Sequence, residues 1–205
     1  MLLEMSHDVT MIAMGSRGMG GLSGMVMGSV SASVVSHASC PVVVVREDNH
    51  VTDSTKYGPV VVGVDGSEVS QKATAYAFRE AQARGAALIA VHTWMDMQVQ
   101  ASLAGLSAAQ SEWADIEKEQ SELLTENLKE PREEYPEVEV KKLITRDRPV
   151  SALTEAAEGA QLLVVGSHGR GGFKGMLLGS TSRALLQSAP VSYTHLRAHE
   201  TGRNL

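Results

Sequence analysis

The sequence predicts an α/β protein built on a parallel sheet, and three observations support this fold class. Strand-like and helix-like segments alternate along the chain. The strand-like segments are mostly short continuous apolar runs, which are typical of strands buried on both faces. A glycine-rich loop follows such a run at two places. Regular alternation of strand and helix is typical of βαβ units, which carry helices on both faces of an open sheet.

The composition of the 205 residues fits a globular chain of one to two domains. No apolar stretch approaches the ~18–20 residues that span a bilayer. The chain has 24 acidic residues and 18 Lys and Arg, and the resulting net charge of −6 disfavours a nucleic-acid-binding surface. Cys40 is the one cysteine, as expected in a reducing compartment, and the first residues lack a signal peptide. We therefore expect a cytoplasmic protein that binds neither membrane nor nucleic acid.

The longer part of the chain gives a complete series of elements. Ser67 is placed to cap a helix that Gly85 ends, and Pro149 suits the first turn of a later helix. The predicted elements are, in order, a strand over 59–64, a helix over 68–84, a strand over 87–94, a long helix that stops before Pro131, a strand over 138–144, a short helix over 149–158, a strand over 161–166 and a last helix over 180–189.

An internal repeat contains the glycine-rich loop. GSRGMGGLSGMVMGSVS, from residue 15, and GSHGRGGFKGMLLGSTS, from residue 166, align without a gap at a spacing of 151 residues, with ten of seventeen positions identical. A period of this length is about one domain and indicates a tandem duplication. The first copy has so little sequence before it that we expect only the last third of a unit, with a final strand at 40–45.

The repeat divides the chain into four predicted segments. Residues 1–48 are expected to be the C-terminal remnant of a first domain, 49–58 a polar linker and 59–190 a second domain. Residues 191–205 are polar and basic and lack strand alternation. We therefore expect a non-native tail here, a second domain without its final strand, and a chain that is a gene fragment.

The pattern shared by the two loops, G-x2-G-x9-G-S, is suited to binding an anion. The loop leaves the carboxyl end of a strand, where α/β proteins bind ligands, and it ends at a helix N-terminus that offers N–H and hydroxyl groups. A flexible or tightly packed crossover without a ligand is the alternative. His168 lies inside the second loop, where it either contacts phosphate or is solvated. The other positions in the second copy are Gly166, Gly169, Gly179, Ser180 and Thr181.

A second signal is Asp65, in the run GVDGS at the end of the first strand of the longer unit. If the fourth strand lies beside the first, Asp65 faces the glycine loop across the point where the strand order reverses. A carboxylate there can hold a ribose hydroxyl or a Mg²⁺ bound to phosphates. The alternative is an Asx-turn residue that opens the following helix.

The run VVVGVDGS and the later G-x2-G-x9-G-S together resemble the ATP-binding class of the universal stress proteins. The resemblance implies an adenine-nucleotide α-hydrolase-like, five-stranded parallel sheet in the order 3-2-1-4-5. It also implies ATP, with Mg²⁺, between the first and fourth strands, and a homodimer or an intramolecular domain pairing through the fifth. The remnant lacks a counterpart of Asp65 and is not expected to bind nucleotide alone. By position, the resemblance assigns ATP contacts to Gly63, Asp65, Thr93, Gly166, His168, Gly169, Gly179, Ser180 and Thr181.

The sequence shows no nucleophile–base set, carboxylate pair or metal-ligand cluster, so we assign no catalytic or metal-binding residue. We predict a stress-response regulator that binds ATP and acts through nucleotide-dependent conformation or assembly. One alternative is a slow ATP hydrolase or nucleotidyl-transfer enzyme, in which Arg170 or Lys174 would supply a cation. The other is an interaction protein that binds no nucleotide because truncation leaves its site incomplete.

Overall fold

The computed structural model describes residues 1–16, 27–45, 58–94, 110–170, 178–189 and 191–196. In these ranges no helix is long and apolar enough to cross a membrane. The strands are β1 (Ile12–Gly15), β2 (Val42–Val45), β3 (Val60–Gly63), β4 (Leu88–Thr93), β5 (Val140–Thr145), β6 (Leu162–Gly166) and β7 (Tyr193–Leu196). The helices are α1 (Leu2–Met5), α2 (Ser29–His37), α3 (Glu68–Arg84), α4 (Gln110–Glu134), α5 (Pro149–Ala156) and α6 (Ser180–Ser188).

The strands form one sheet in the order β1-β2-β7-β6-β3-β4-β5. Strands β3 to β7 are parallel to one another, and counted along the longer unit they lie in the order 3-2-1-4-5. This result confirms the predicted parallel α/β fold and its strand order. The sheet has seven strands instead of five because β2 pairs with β7 in antiparallel fashion and β1 pairs with β2.

The expectation that the final strand is missing is wrong, because Tyr193–Leu196 forms β7 between β6 and β2. The sequence pattern failed here because this strand has polar residues and no apolar alternation. A central strand is held by backbone hydrogen bonds along both edges, and the side chains of Thr194 and Leu196 are buried. Strand β7 follows β2 at 151 residues, the same spacing that separates the two glycine loops.

Helices cover both faces of the sheet and divide the core in two. On one face, Val60 and Val62 of β3 pack in a cluster with Phe78 of α3 and with α4. On the other face, Val61 packs with Leu185 of α6 and with residues of α2 and α5. A strand with both faces buried needs apolar side chains at every position, which is why β3 has no polar alternation.

Helix α3 has the predicted bounds and caps. The Ser67 hydroxyl accepts a hydrogen bond from the backbone N–H of Ser70 at 3.2 Å, which satisfies one donor of the first turn. Gly85 ends the helix in the left-handed conformation at φ 59°. Helix α3 therefore starts directly after the loop that contains Asp65, and its position fixes that loop.

Helix α4 does not stop before Pro131 as predicted but continues to Glu134. Leu124, Leu128 and Pro131 are all buried and are spaced for one face of a helix. Burial of this face stabilises the last turns although proline donates no backbone hydrogen bond. The predicted stop was wrong because tertiary packing outweighs the local preference of proline.

Candidate functional site

The site predicted by the glycine loop lies at the carboxyl ends of β3 and β6. These strands are parallel neighbours, with Val61 opposite Leu163. From β3 the chain continues to β4 on one side, whereas β6 lies on the other side, so the strand order reverses between β3 and β6. A crevice opens at such a point in open α/β sheets. Gly63 and Gly166, the last residues of the two strands, border it.

Asp65 uses its two carboxylate oxygens in different ways. Oδ1 accepts hydrogen bonds from the backbone N–H of Ser67 at 2.9 Å and from its hydroxyl at 2.7 Å, which is the Asx-turn geometry. Oδ2 accepts a hydrogen bond from the backbone N–H of Arg170, in the glycine loop, at 3.2 Å. Asp65 therefore opens helix α3 through an Asx turn and also faces the glycine loop.

Gly169 allows the glycine loop to approach Asp65 closely. A Cβ atom built on Gly169 would overlap Oδ2 of Asp65, so any side chain here would displace the carboxylate. Gly66 has a separate reason to be glycine, because its φ of +79° lies in the left-handed region. Both glycines thus shape the crevice on the side of Asp65.

The loop returns to the same place before helix α6. The backbone N–H of Gly179 donates a hydrogen bond to the carbonyl of Ser167 at 2.7 Å. A Cβ on Gly179 would lie 3.2 Å from Cα of His168, tighter than most such contacts. The His168 ring is turned back along the loop, with Nδ1 2.9 Å from the Ser167 hydroxyl. The contacts therefore run from Asp65 through 168–169 to Gly179.

Helix α6 begins at this point, and no side chain of the described residues caps its N–H groups. Its N-cap is Gly179, which cannot provide the side-chain acceptor that Ser67 provides for α3. Ser180 is exposed and Thr181 is half-buried in the first turn. The first turn of α6 thus presents N–H donors and two hydroxyl-bearing residues, a combination that binds anions.

Two of the predicted residues have other surroundings. A Cβ on Gly63 would lie 3.2 Å from Cδ1 of Leu153, so this glycine lets α5 pack on β3. Thr93 ends β4 beside Thr145 of β5, one strand from Asp65. Among the described residues no hydrogen bond joins Thr93 to Asp65 or to the glycine loop. The structure thus brings Asp65 and the glycine loop together and places Thr93 farther along the same edge of the sheet.

The first repeat builds a similar loop closure. The N–H of Gly28 donates to the carbonyl of Ser16 at 2.9 Å, just as Gly179 does to Ser167. The hydroxyl of Ser31 donates to the carbonyl of Gly15 at 3.0 Å, like its counterpart in the second loop. In the described part of the chain, β1 pairs with β2 alone, so no strand and no carboxylate take the places of β3 and Asp65.

A buried histidine that is not among the predicted site residues supports the crevice. His92 of β4 has Nδ1 2.7 Å from the carbonyl oxygen of Val64 and Nε2 2.9 Å from Oε1 of Gln120 on α4. Both polar side chains are buried. The pair ties α4 and β4 to the residue before Asp65. The sequence contained two signals for this pair. His92 lies within an apolar strand, and Gln120 lies four residues before Leu124, on the same face of the helix.

The fold and the site define an open, doubly wound α/β protein with a glycine loop and a carboxylate at its topological switch point. A family model, described as the universal stress protein family, matches residues 1–46 and 56–197. The chain belongs to the universal stress protein family.

Similar proteins agree with this assignment. A universal stress protein of Mycobacterium tuberculosis is 45% identical over 190 residues, covering 93% of this chain and 62% of the relative. A second one from that organism is 46% identical over 192 residues, covering 93% of this chain and 60% of the relative. The chain thus spans about three fifths of the length of these relatives. The crystal structure of a universal stress protein from Archaeoglobus fulgidus is 25% identical with a TM-score of 0.65, covering 96% of this chain and 65% of that one.

Proposed function

We propose that this chain binds ATP, together with Mg²⁺, in the crevice between β3 and β6 and acts as a stress-response regulator through nucleotide-dependent conformation or assembly. The observation that carries the proposal is the contact of Asp65 with the backbone of Gly169 and Arg170. This contact brings a carboxylate and the glycine-rich loop together at the switch point of the sheet, which supports binding of a phosphate-bearing ligand there. The match of both motifs to the ATP-binding class of the family supports the choice of ligand.

Each side of the crevice has a separate role in this proposal. The open N–H groups of α6 and the hydroxyls of Ser180 and Thr181 bind phosphate oxygens. Asp65 binds a ribose hydroxyl or a phosphate-bound Mg²⁺, which prefers one or two carboxylates together with phosphate oxygens. Thr93, at the end of the neighbouring strand, contacts the adenine. The first repeat does not bind nucleotide alone in this proposal, since its described residues include no counterpart of Asp65.

The assembly part of the proposal concerns the seam between β2 and β7. Val43 pairs with Thr194, Val42 with His195 and Val44 with Tyr193. Because Val43 and Thr194 are equivalent positions of the repeat, this pairing has the local two-fold symmetry that two copies of one strand would have. We propose that the seam joins two units of the family, residues 1–48 and the predicted second domain 59–190 together with β7. A monomeric mass together with ready proteolysis at 41–45 would contradict it.

The first experiment is a thermal-unfolding titration of the whole chain with ATP and Mg²⁺, with GTP as the control nucleotide. A ligand at 100 times its Kd stabilises the native state by ~2.7 kcal/mol, which raises Tm by several degrees. We expect a saturable increase that is larger with ATP than with GTP. A cooperative transition that ATP does not shift would refute nucleotide binding and favour a role in protein interaction.

Variants of Asp65 locate the site. Asp65→Asn keeps an oxygen for the Ser67 side of the loop but removes the charge, so we expect a folded protein with a reduced response to ATP and Mg²⁺. Asp115→Ala is the matched control, because it removes one exposed carboxylate from α4. If ATP and Mg²⁺ raise the Tm of Asp65→Asn and of Asp115→Ala by the same amount, the nucleotide binds at another site.

A further inference from the structure

Arg170 spans the crevice between the two loops of the candidate site. Its backbone N–H is fixed on Oδ2 of Asp65 at 3.2 Å. Its guanidinium group lies over Gly66, with Nη2 2.8 Å from the position that a Cβ of Gly66 would occupy. Asn127 of α4 borders the same point, with Nδ2 at 3.5 Å from it. The absence of a side chain on Gly66 therefore makes room for a cation beside the carboxyl end of β3.

The charge of this guanidinium group is available to a ligand. The side chain of Arg170 is exposed, and no ion pair found among the described residues includes it. Asn127 directs its amide N–H group to the carbonyl of Leu123 at 2.8 Å. Its Nδ2 atom, which borders the same point at Gly66, is a donor and cannot accept a hydrogen bond from the guanidinium group. Oδ2 of Asp65 already accepts the backbone N–H of Arg170.

A phosphate chain in the crevice would need a positive charge at this point. The nucleotide adds several negative charges next to the carboxylate of Asp65, and the helix N-terminus of α6 supplies only a partial charge. Guanidinium groups bind phosphate oxygens through two parallel N–H donors and remain charged at any physiological pH. We infer that the guanidinium group of Arg170 binds the phosphate chain of the nucleotide from the β3 side of the crevice. This inference rests on the proposed function and adds a cationic phosphate ligand to it.

The inference is tested with Arg170→Gln, Arg170→Lys and the wild-type chain. We expect Arg170→Gln to weaken ATP binding about ten-fold or more, because a charged hydrogen-bond donor is lost. Adenosine, which has no phosphate, should bind both proteins equally, whereas a merely structural role of Arg170 would weaken adenosine as well. Arg170→Lys should recover part of the affinity. The control is Arg132→Ala, which removes an exposed cation from the last turn of α4, shortly before the start of β5.

Thermal-shift measurements with inorganic tripolyphosphate as a second ligand distinguish a failure of this inference from a failure of the proposed function. If the wild type binds ATP and Arg170→Gln binds it equally well, the inference is wrong and the proposed function stands. If the wild type binds tripolyphosphate but not ATP, and Arg170→Gln loses tripolyphosphate, the guanidinium site stands and the ATP proposal fails. If the wild type binds neither probe, both are wrong.

Discussion

The internal repeat provides a matched pair of variants that isolates the packing at the glycine cradle. Gly179 and Gly28 are N-caps of equivalent helices and have nearly equal backbone angles, φ −69° and ψ 162° against φ −72° and ψ 152°. Replacing either one by alanine brings the same loss of N-cap preference, since alanine is a poorer N-cap than glycine. The difference between the two variants therefore reports their different neighbours.

Those neighbours differ in a measurable way. A Cβ at Gly179 would lie 3.2 Å from Cα of His168, so backbone has to move. Among the described residues, the atom nearest to a Cβ at Gly28 would be the carbonyl oxygen of Ser16 at 3.8 Å, which is ordinary contact. Overpacking against a backbone that cannot yield freely costs about 1–3 kcal/mol. We expect Gly179→Ala to lower the free energy of unfolding by about 1 kcal/mol more than Gly28→Ala.

Urea unfolding measures this difference, and an ATP titration of the same samples measures its effect on binding. A shift of the His168 backbone also moves the adjoining Gly169, so Gly179→Ala should weaken ATP binding about ten-fold while Gly28→Ala leaves it unchanged. Equal unfolding free energies for the two variants would refute the tight contact between Gly179 and His168. Equal affinities for ATP would refute the assignment of the glycine loop as the binding loop.

Three further predictions concern single contacts. Gly169→Ala forces the Asp65 carboxylate aside, and titration with ATP and Mg²⁺ should show a smaller response than in the wild type; an unchanged response would contradict the role of this contact. Gln120→Ala leaves a buried ring nitrogen of His92 without its partner and should cost about 1–3 kcal/mol in urea unfolding, whereas a loss below the error of measurement would show that the pair is not coupled. The Thr194 hydroxyl is buried without a hydrogen-bond partner in the described part of the chain, so Thr194→Val should raise the unfolding free energy by about 1 kcal/mol; a decrease would mean that the hydroxyl has a partner.

The glycine loop and Asp65 could be predicted because their signals are local. Strand runs such as 59–64 contain no polar residue, and a strand buried on both faces has to have that composition. The cap at Ser67 and the stop at Gly85 follow from side chains within one turn of the helix end. The placement of Asp65 opposite the loop followed from the order of the strands, since β3 and β6 are neighbours.

Other features depended on contacts between distant segments. Residues 191–196 lack the apolar alternation of a strand, and β7 forms because β6 and β2 offer hydrogen bonds on both sides. Pro131 remains helical because the buried face of α4 continues through it. His92 and Gln120 are 28 residues apart, and only the packing of α4 on β4 brings them together.

The alternation of elements, the repeat at a spacing of 151 residues and the residues of the glycine loop can be read from the chain alone, because residue spacing and side-chain type within a few turns specify these features. The tertiary structure alone decided which atoms meet in the crevice. The hydrogen bond from Arg170 to Asp65 joins residues 105 positions apart, and the guanidinium group lies over Gly66 only because two loops end at adjacent strands. Such contacts depend on the order and register of the sheet, and these are set by packing and backbone pairing over the whole chain.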